Sequence, residues 1–150
     1  MQGLRLGGHP VHPALVHFPV ACWTAAPVLD GLHLLGYGLV WWQCAYGCIA
    51  LGLVMALAAM TAGFMDFMAI APEHPGQAVA VRHMMLMASA WCVFCVDLLL
   101  RPFHTEPSSM QAWTGLGCSL AGFLLLLTGA YAGARLVYDF GVGQTRTPGK

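Results

Sequence analysis

Apolar residues along this chain gather in four long tracts rather than alternating with polar ones. The tracts cover roughly residues 14–35, 45–70, 79–100 and 113–136. Each is near the ~20 residues an α-helix needs to cross a hydrocarbon core about 30 Å thick. Four membrane-spanning helices are therefore predicted. The breaks between them are short and rich in Gly and Pro: Gly36-Tyr37-Gly38, then Pro72 to Gly76, then Pro102 to Pro107. Short connections make neighbouring helices antiparallel. The pattern predicts an all-α, integral-membrane, up-down four-helix bundle forming one domain. A His/Pro arm over residues 1–13 precedes it and a tail over 140–150 follows.

Composition agrees with the pattern. Of 150 residues, 59% are hydrophobic and 8% charged, with a mean hydropathy of +0.71, too apolar for a water-soluble domain. Formal net charge is +0, and no run of Lys or Arg points to nucleic acid or an anionic lipid surface. The first tract has no small-residue cleavage site before or after it, so it reads as a retained signal-anchor. Arg5, Arg82, Arg135, Arg146 and Lys150 fall on one side of the predicted bundle and Arg101 alone on the other. By the positive-inside rule both termini are expected in the cytoplasm. All six cysteines lie in apolar tracts and read as packing thiols. Cys92-x-x-Cys95 has redox spacing but neither the βαβ context nor a following His that would make it a redox or haem-attachment motif.

Within the spans, Pro13, Pro19 and Pro27 predict kinks in the first helix. In the fourth, Gly115, Gly122 and Gly129 at heptad spacing, followed by Gly133, make a smooth stripe. It suits a close helix contact, a planar cofactor lying on it, or a homodimer interface.

Ionisable residues inside a membrane are costly, about 2.5–3.5 kcal/mol each for Asp, Lys or Arg on insertion scales, so their placement points to function. His17, Asp66, Arg82, His83, Arg135, Tyr138 and Asp139 all fall toward one end of an up-down bundle, and His9, His12, Glu73 and His74 adjoin them. His17 and His83 each lie about one turn inside parallel spans. Two imidazoles at matched depth are what a b-type haem takes as axial ligands. Met84, Met85, Met87, Phe18, Phe64 and Phe67 would surround the porphyrin, and Arg82 or Arg135 would pair a propionate. Asp66 is expected to cap a helix or pair with Arg82.

His9 and His12 each precede a proline, and Pro10 and Pro13 deny a regular helix before residue 13. They predict an extended arm over the bundle's end, able to ligate a metal or a second haem. Asp30, His33, Asp97 and His104 belong to the opposite side. A second haem on His33 and His104 would need the Pro27 kink, because His17 and His33 lie about 160° apart around a straight helix. Asp97 and Arg101, four apart, are expected to pair.

The chain resembles the bacterial membrane family catalogued as domain of unknown function 2231. The resemblance rests on "HPVHPALVHFP" (9–19) followed by Asp30, "GFMDFMAI" (63–70), "RHMMLMASAWCVFCVDLLLR" (82–101) and "GARLVYDFGVG" (133–143). It implies four helices, a bacterial inner-membrane location, and polar family positions at His9, His12, His17, Asp30, Asp66, His83 and Tyr138. Fusions of some relatives to Rieske-type iron–sulfur domains imply electron transfer. Met87 stands where the family often has Asn.

The expectation is a b-type cytochrome with one or two haems, His17 and His83 as axial ligands. It would exchange electrons with a quinone or a redox protein in the lipid membrane, as an oxidoreductase or as a carrier alone. The alternative is transition-metal binding or transport using His9, His12, His17, His74 and His83 with Asp66 or Glu73, ligands that suit Zn, Ni, Fe or Cu(II).

Overall fold

A computed structural model describes residues 3–144. A two-residue hairpin, β1 (Arg5–Leu6) paired antiparallel with β2 (His9–Pro10), opens the chain. Gly7 and Gly8, both at positive φ, make its turn. Then follow α1 (Val11–Leu15), α2 (His17–Leu32), a π-helical turn over His33–Tyr37, α3 (Leu39–Met68), α4 (Gln77–Leu100) and α5 (Ser109–Tyr138). Four helical stretches, Val11–Tyr37, Leu39–Met68, Gln77–Leu100 and Ser109–Tyr138, are long and apolar enough to cross a membrane. The all-α four-helix arrangement is as the tracts predict.

Three boundaries differ, each for a local reason. Helix begins at Val11 rather than after residue 13. Pro13 stands in the first turn of α1 and Pro19 in the first turn of α2, where the missing N–H has no intrahelical partner to lose. Pro27 alone lies inside a helix. The second span starts at Leu39, because Gly36 and Gly38 turn the chain at positive φ. Its first turn is then held at the bundle end, where Trp42 Nε1 donates to the Pro102 carbonyl (2.8 Å) and Gln43 Nε2 to that of Phe103 (3.1 Å). At Ser109 the fourth span is started by a reciprocal cap: Ser108 accepts from the Gln111 backbone, and the Gln111 side chain accepts from the Ser108 N–H.

The helices pair as α2 with α3 and α4 with α5. At mid-bundle Trp23 and Phe94 stack with ring centres 4.5 Å apart, among Ala26, Ile49, Ala56 and Ala90. The glycine stripe of α5 faces this interior. Gly115 abuts Trp42, Gly122 abuts Phe94, Gly129 abuts Met87 and Gly133 abuts His83. The stripe is therefore a close packing face for side chains of α3 and α4. A Cβ at Gly122 would come 2.6 Å from the Phe94 ring, which is why these positions hold no side chain.

Candidate functional site

At one end of the bundle the structure joins two histidines, and they are His12 and His83. The α1 turn lies on α3, so His12 Nδ1 reaches the Ala59 carbonyl at 2.8 Å. His83, on α4, faces α5 and meets the Gly129 carbonyl at 2.8 Å through its own Nδ1. A carbonyl only accepts, so in both rings Nδ1 carries a proton, and in the neutral form Nε2 keeps its lone pair. Among the described residues neither Nε2 has a hydrogen-bond partner. The ring centres are 6.4 Å apart and the planes cross at 84°. Each ring leans on a glycine: a Cβ at Gly63 would lie 2.9 Å from His12 Cε1, and one at Gly133 would lie 3.1 Å from His83 Cε1.

His17 is not the partner of His83. It is exposed, with Nδ1 3.3 Å from the Ala14 carbonyl. Val16 keeps α-helical backbone between α1 and α2, and His12 and His17, five residues apart, lie about 140° apart around the stretch, so with α1 on α3 His12 takes the inner position and His17 faces outward. The sequence puts His12 in an apparent arm, and only the short α1 helix moves it to span depth.

Asp66 neither pairs with Arg82 nor joins the rings. Its Oδ1 accepts from the Leu4 N–H at 2.8 Å, tying the N-terminal hairpin to α3. His9 is exposed at the hairpin's tip. His74 accepts from the Gly76 N–H at 3.1 Å and so organises the α3–α4 connection. Among the described residues no three His, Cys, Asp or Glu side chains converge in a way that could hold a metal ion. The many-histidine metal site is thus not assembled. Phe18, Phe64, Met85 and Tyr138 are exposed, whereas Met87 packs inward on Gly129.

Arg82 and Arg135 line a common groove on the outer side of α4 and α5. Tyr131 of that groove is about 160° around α5 from Gly129 and Gly133, so the arginines and the ring pair lie on different faces. Arg135 Nε binds Asp139 at 2.9 Å.

At the other end lies a polar cluster of a different kind. Arg101 forks onto Asp30 (Nη1–Oδ1 2.6 Å, Nη2–Oδ2 2.7 Å) and onto Asp97 (Nε–Oδ1 2.8 Å, Nη2–Oδ2 3.0 Å). Ser119 Oγ bridges both carboxylates, and the guanidinium lies 4.3 Å over the Trp42 ring. The expected Asp97–Arg101 pair is there, but it is half of a buried network that also clasps α2 and α5 to α4. His33 and His104 do not meet. His33 Nδ1 is 3.2 Å from the Gly38 carbonyl and its ring tilts on Trp42. His104 sits edge-on to Phe103 in the exposed connection. No ligand pair for a second haem is brought together there.

A family model described as "Predicted membrane protein (DUF2231)" matches residues 8–146. The chain belongs to that family, a family of membrane proteins. No curated protein and no solved structure matches it.

Proposed function

We propose that this membrane protein is a b-type cytochrome that holds haem between His12 and His83 and passes electrons to or from a quinone or a partner redox protein. The observation that carries the reading is the pair of neighbouring rings, each with its Nδ1 bonded to a backbone carbonyl. Such bonds fix the tautomer and orientation that a metal-ligating imidazole needs. The ring centres lie 6.4 Å apart, and an iron would take the Nε2 that each ring leaves without a protein partner.

Ligand number points the same way. A bare transition-metal ion would need further donors, and among the described residues no third joins the two rings. Haem brings four nitrogens of its own and is completed by one or two ligands from the protein, which the two rings would supply. When bound, it would supply one-electron chemistry. The protein's part is to hold the two imidazoles through Ala59 and Gly129, to exclude water with Met87 and the helix faces, and to bring the site to lipid depth.

The reading further places the protein in a bacterial inner membrane with both termini and the histidine end on the cytoplasmic side. Arg5, Arg82 and Arg135 belong to that end, while the charge of Arg101 at the opposite end is buried in ion pairs. Arg146 and Lys150, which add to the bias, lie outside the described residues.

The test is a dithionite-reduced minus air-oxidised spectrum of protein purified in mild detergent after expression with ample haem, with a pyridine haemochromogen assay on the same sample. Resolved α and β bands from a low-spin b haem are expected. A featureless spectrum from folded protein overturns the reading.

A further inference from the structure

The outward groove between α4 and α5 calls for a separate account. It has a volume of about 300 Å³ and is lined by Val79, Arg82, Leu127, Thr128, Tyr131 and Arg135 among others. Its two arginines come from distant parts of the chain and meet only because the antiparallel α4–α5 pair sets the start of one helix beside the end of the other. The ion pairs among the described residues join Arg101 to Asp30 and Asp97, and Arg135 to Asp139. Arg82 is in none of them. Arg135 engages Asp139 through Nε, which leaves its η nitrogens open. Among the described residues, two arginines and one aspartate leave the groove one positive charge in excess. Toward mid-membrane the groove runs onto exposed Leu127, Leu124 and Leu120.

We propose that this groove binds an anionic phospholipid, its phosphate between Arg82 and Arg135 and an acyl chain along Leu127 and Leu124. One phosphodiester charge matches the excess, and guanidinium forks suit phosphate oxygens. Tyr131 stands beside the arginines, the side chain that collects at headgroup level in membrane proteins. Basic pockets between spans commonly hold anionic headgroups. The apolar continuation selects a lipid over free phosphate. Nothing in this inference depends on haem.

Native mass spectrometry of the full-length protein in detergent, titrated with phosphatidylglycerol or with phosphatidylcholine of the same acyl chains, tests it. Wild type should retain phosphatidylglycerol with a preference of at least roughly fivefold, and Arg82→Gln/Arg135→Gln should abolish that preference. Arg82→Lys/Arg135→Lys should keep most of it, and Arg5→Gln should leave it intact. Equal retention of the two lipids by wild type overturns the site and requires no variant to fold. So does competition by inorganic phosphate as effective as that by phosphatidylglycerol, which would mark a free-anion site. Loss of haem from the Gln variant with an unchanged lipid preference would reassign the arginines to a propionate.

Discussion

At one end of the bundle Arg101, Asp30, Asp97 and Ser119 satisfy one another so fully that the ion-paired side chains are at most 1% exposed. At the other end His12 and His83 each make one hydrogen bond, to a backbone carbonyl, and each leaves a nitrogen open. A closed network acts as a clasp. It fixes which helices adjoin, and it has no capacity left for a ligand. A half-satisfied pair, each ring oriented by its one bond and backed by a glycine, keeps the capacity that the proposed ligand would use. In a membrane, where polar groups have no water to fall back on, this difference separates architecture from function.

Removing the clasp's centre should have the largest effect. Arg101→Leu leaves two carboxylates buried without their cation, and breaking such a pair from one side costs about 3–5 kcal/mol. Thermal unfolding in detergent should fall accordingly, or the protein should fail to accumulate. Asp30→Asn/Asp97→Asn/Arg101→Met should recover much of the loss, because it removes all the charges together. Equal stability of Arg101→Leu and wild type would show that the clasp does not hold the helices.

The histidine end should respond in the opposite sense, with a large loss of ligand and a small loss of stability. His12→Ala or His83→Ala should abolish the haem spectrum. The ligand-free variants should unfold only about 0.5–1.5 kcal/mol more easily than ligand-free wild type, the value of one hydrogen bond. His17→Ala and His104→Ala should keep haem. Loss of haem in His17→Ala with retention in His12→Ala would return the axial role to His17.

The four spans, their antiparallel order and the Asp97–Arg101 pair were legible in sequence, since each follows from hydropathy or from a four-residue spacing. The choice of His12 over His17 was not. It depends on helix reaching back through Pro13 to Val11, which puts His12 and His17 about 140° apart around one stretch, and the prolines hid that continuity. Two prolines in helix first turns looked like helix breakers because their effect depends on register within the turn. The reach of Arg101 to Asp30 joins residues far apart in the chain. Asp30 was visible only as an ionisable residue on the side opposite the histidines, and no spacing pointed from it to Arg101. The glycine stripe was legible as a contact face, and what it contacts was not.

Crowding the histidines without removing them should have an intermediate effect. Gly63→Ala places a methyl 2.9 Å from His12 Cε1 and Nδ1, so the ring must shift by a few tenths of an ångström or lose its bond to Ala59. Overpacking of this kind costs about 1–3 kcal/mol, less about 1 kcal/mol regained from the better helix former. The haem bands should shift or broaden while haem stays bound. An unchanged spectrum would place the ligand away from His12.

The smallest effect is expected where the clasp's own motif recurs in the open. Arg135 and Asp139 repeat the four-residue spacing of Asp97 and Arg101, with an Nε–carboxylate distance of 2.9 Å against 2.8 Å. Their side chains, however, are 43% and 51% exposed. Solvent and salt screen the pair, so it contributes little to stability. Asp139→Asn should therefore change the unfolding midpoint in detergent only slightly, and raising the salt concentration should erase the difference. Asp97→Asn, at the same spacing, should remain destabilising at any salt concentration, because its pair is shielded from the ions. If the two variants responded alike to salt, burial would not be what distinguishes the two ends of this bundle.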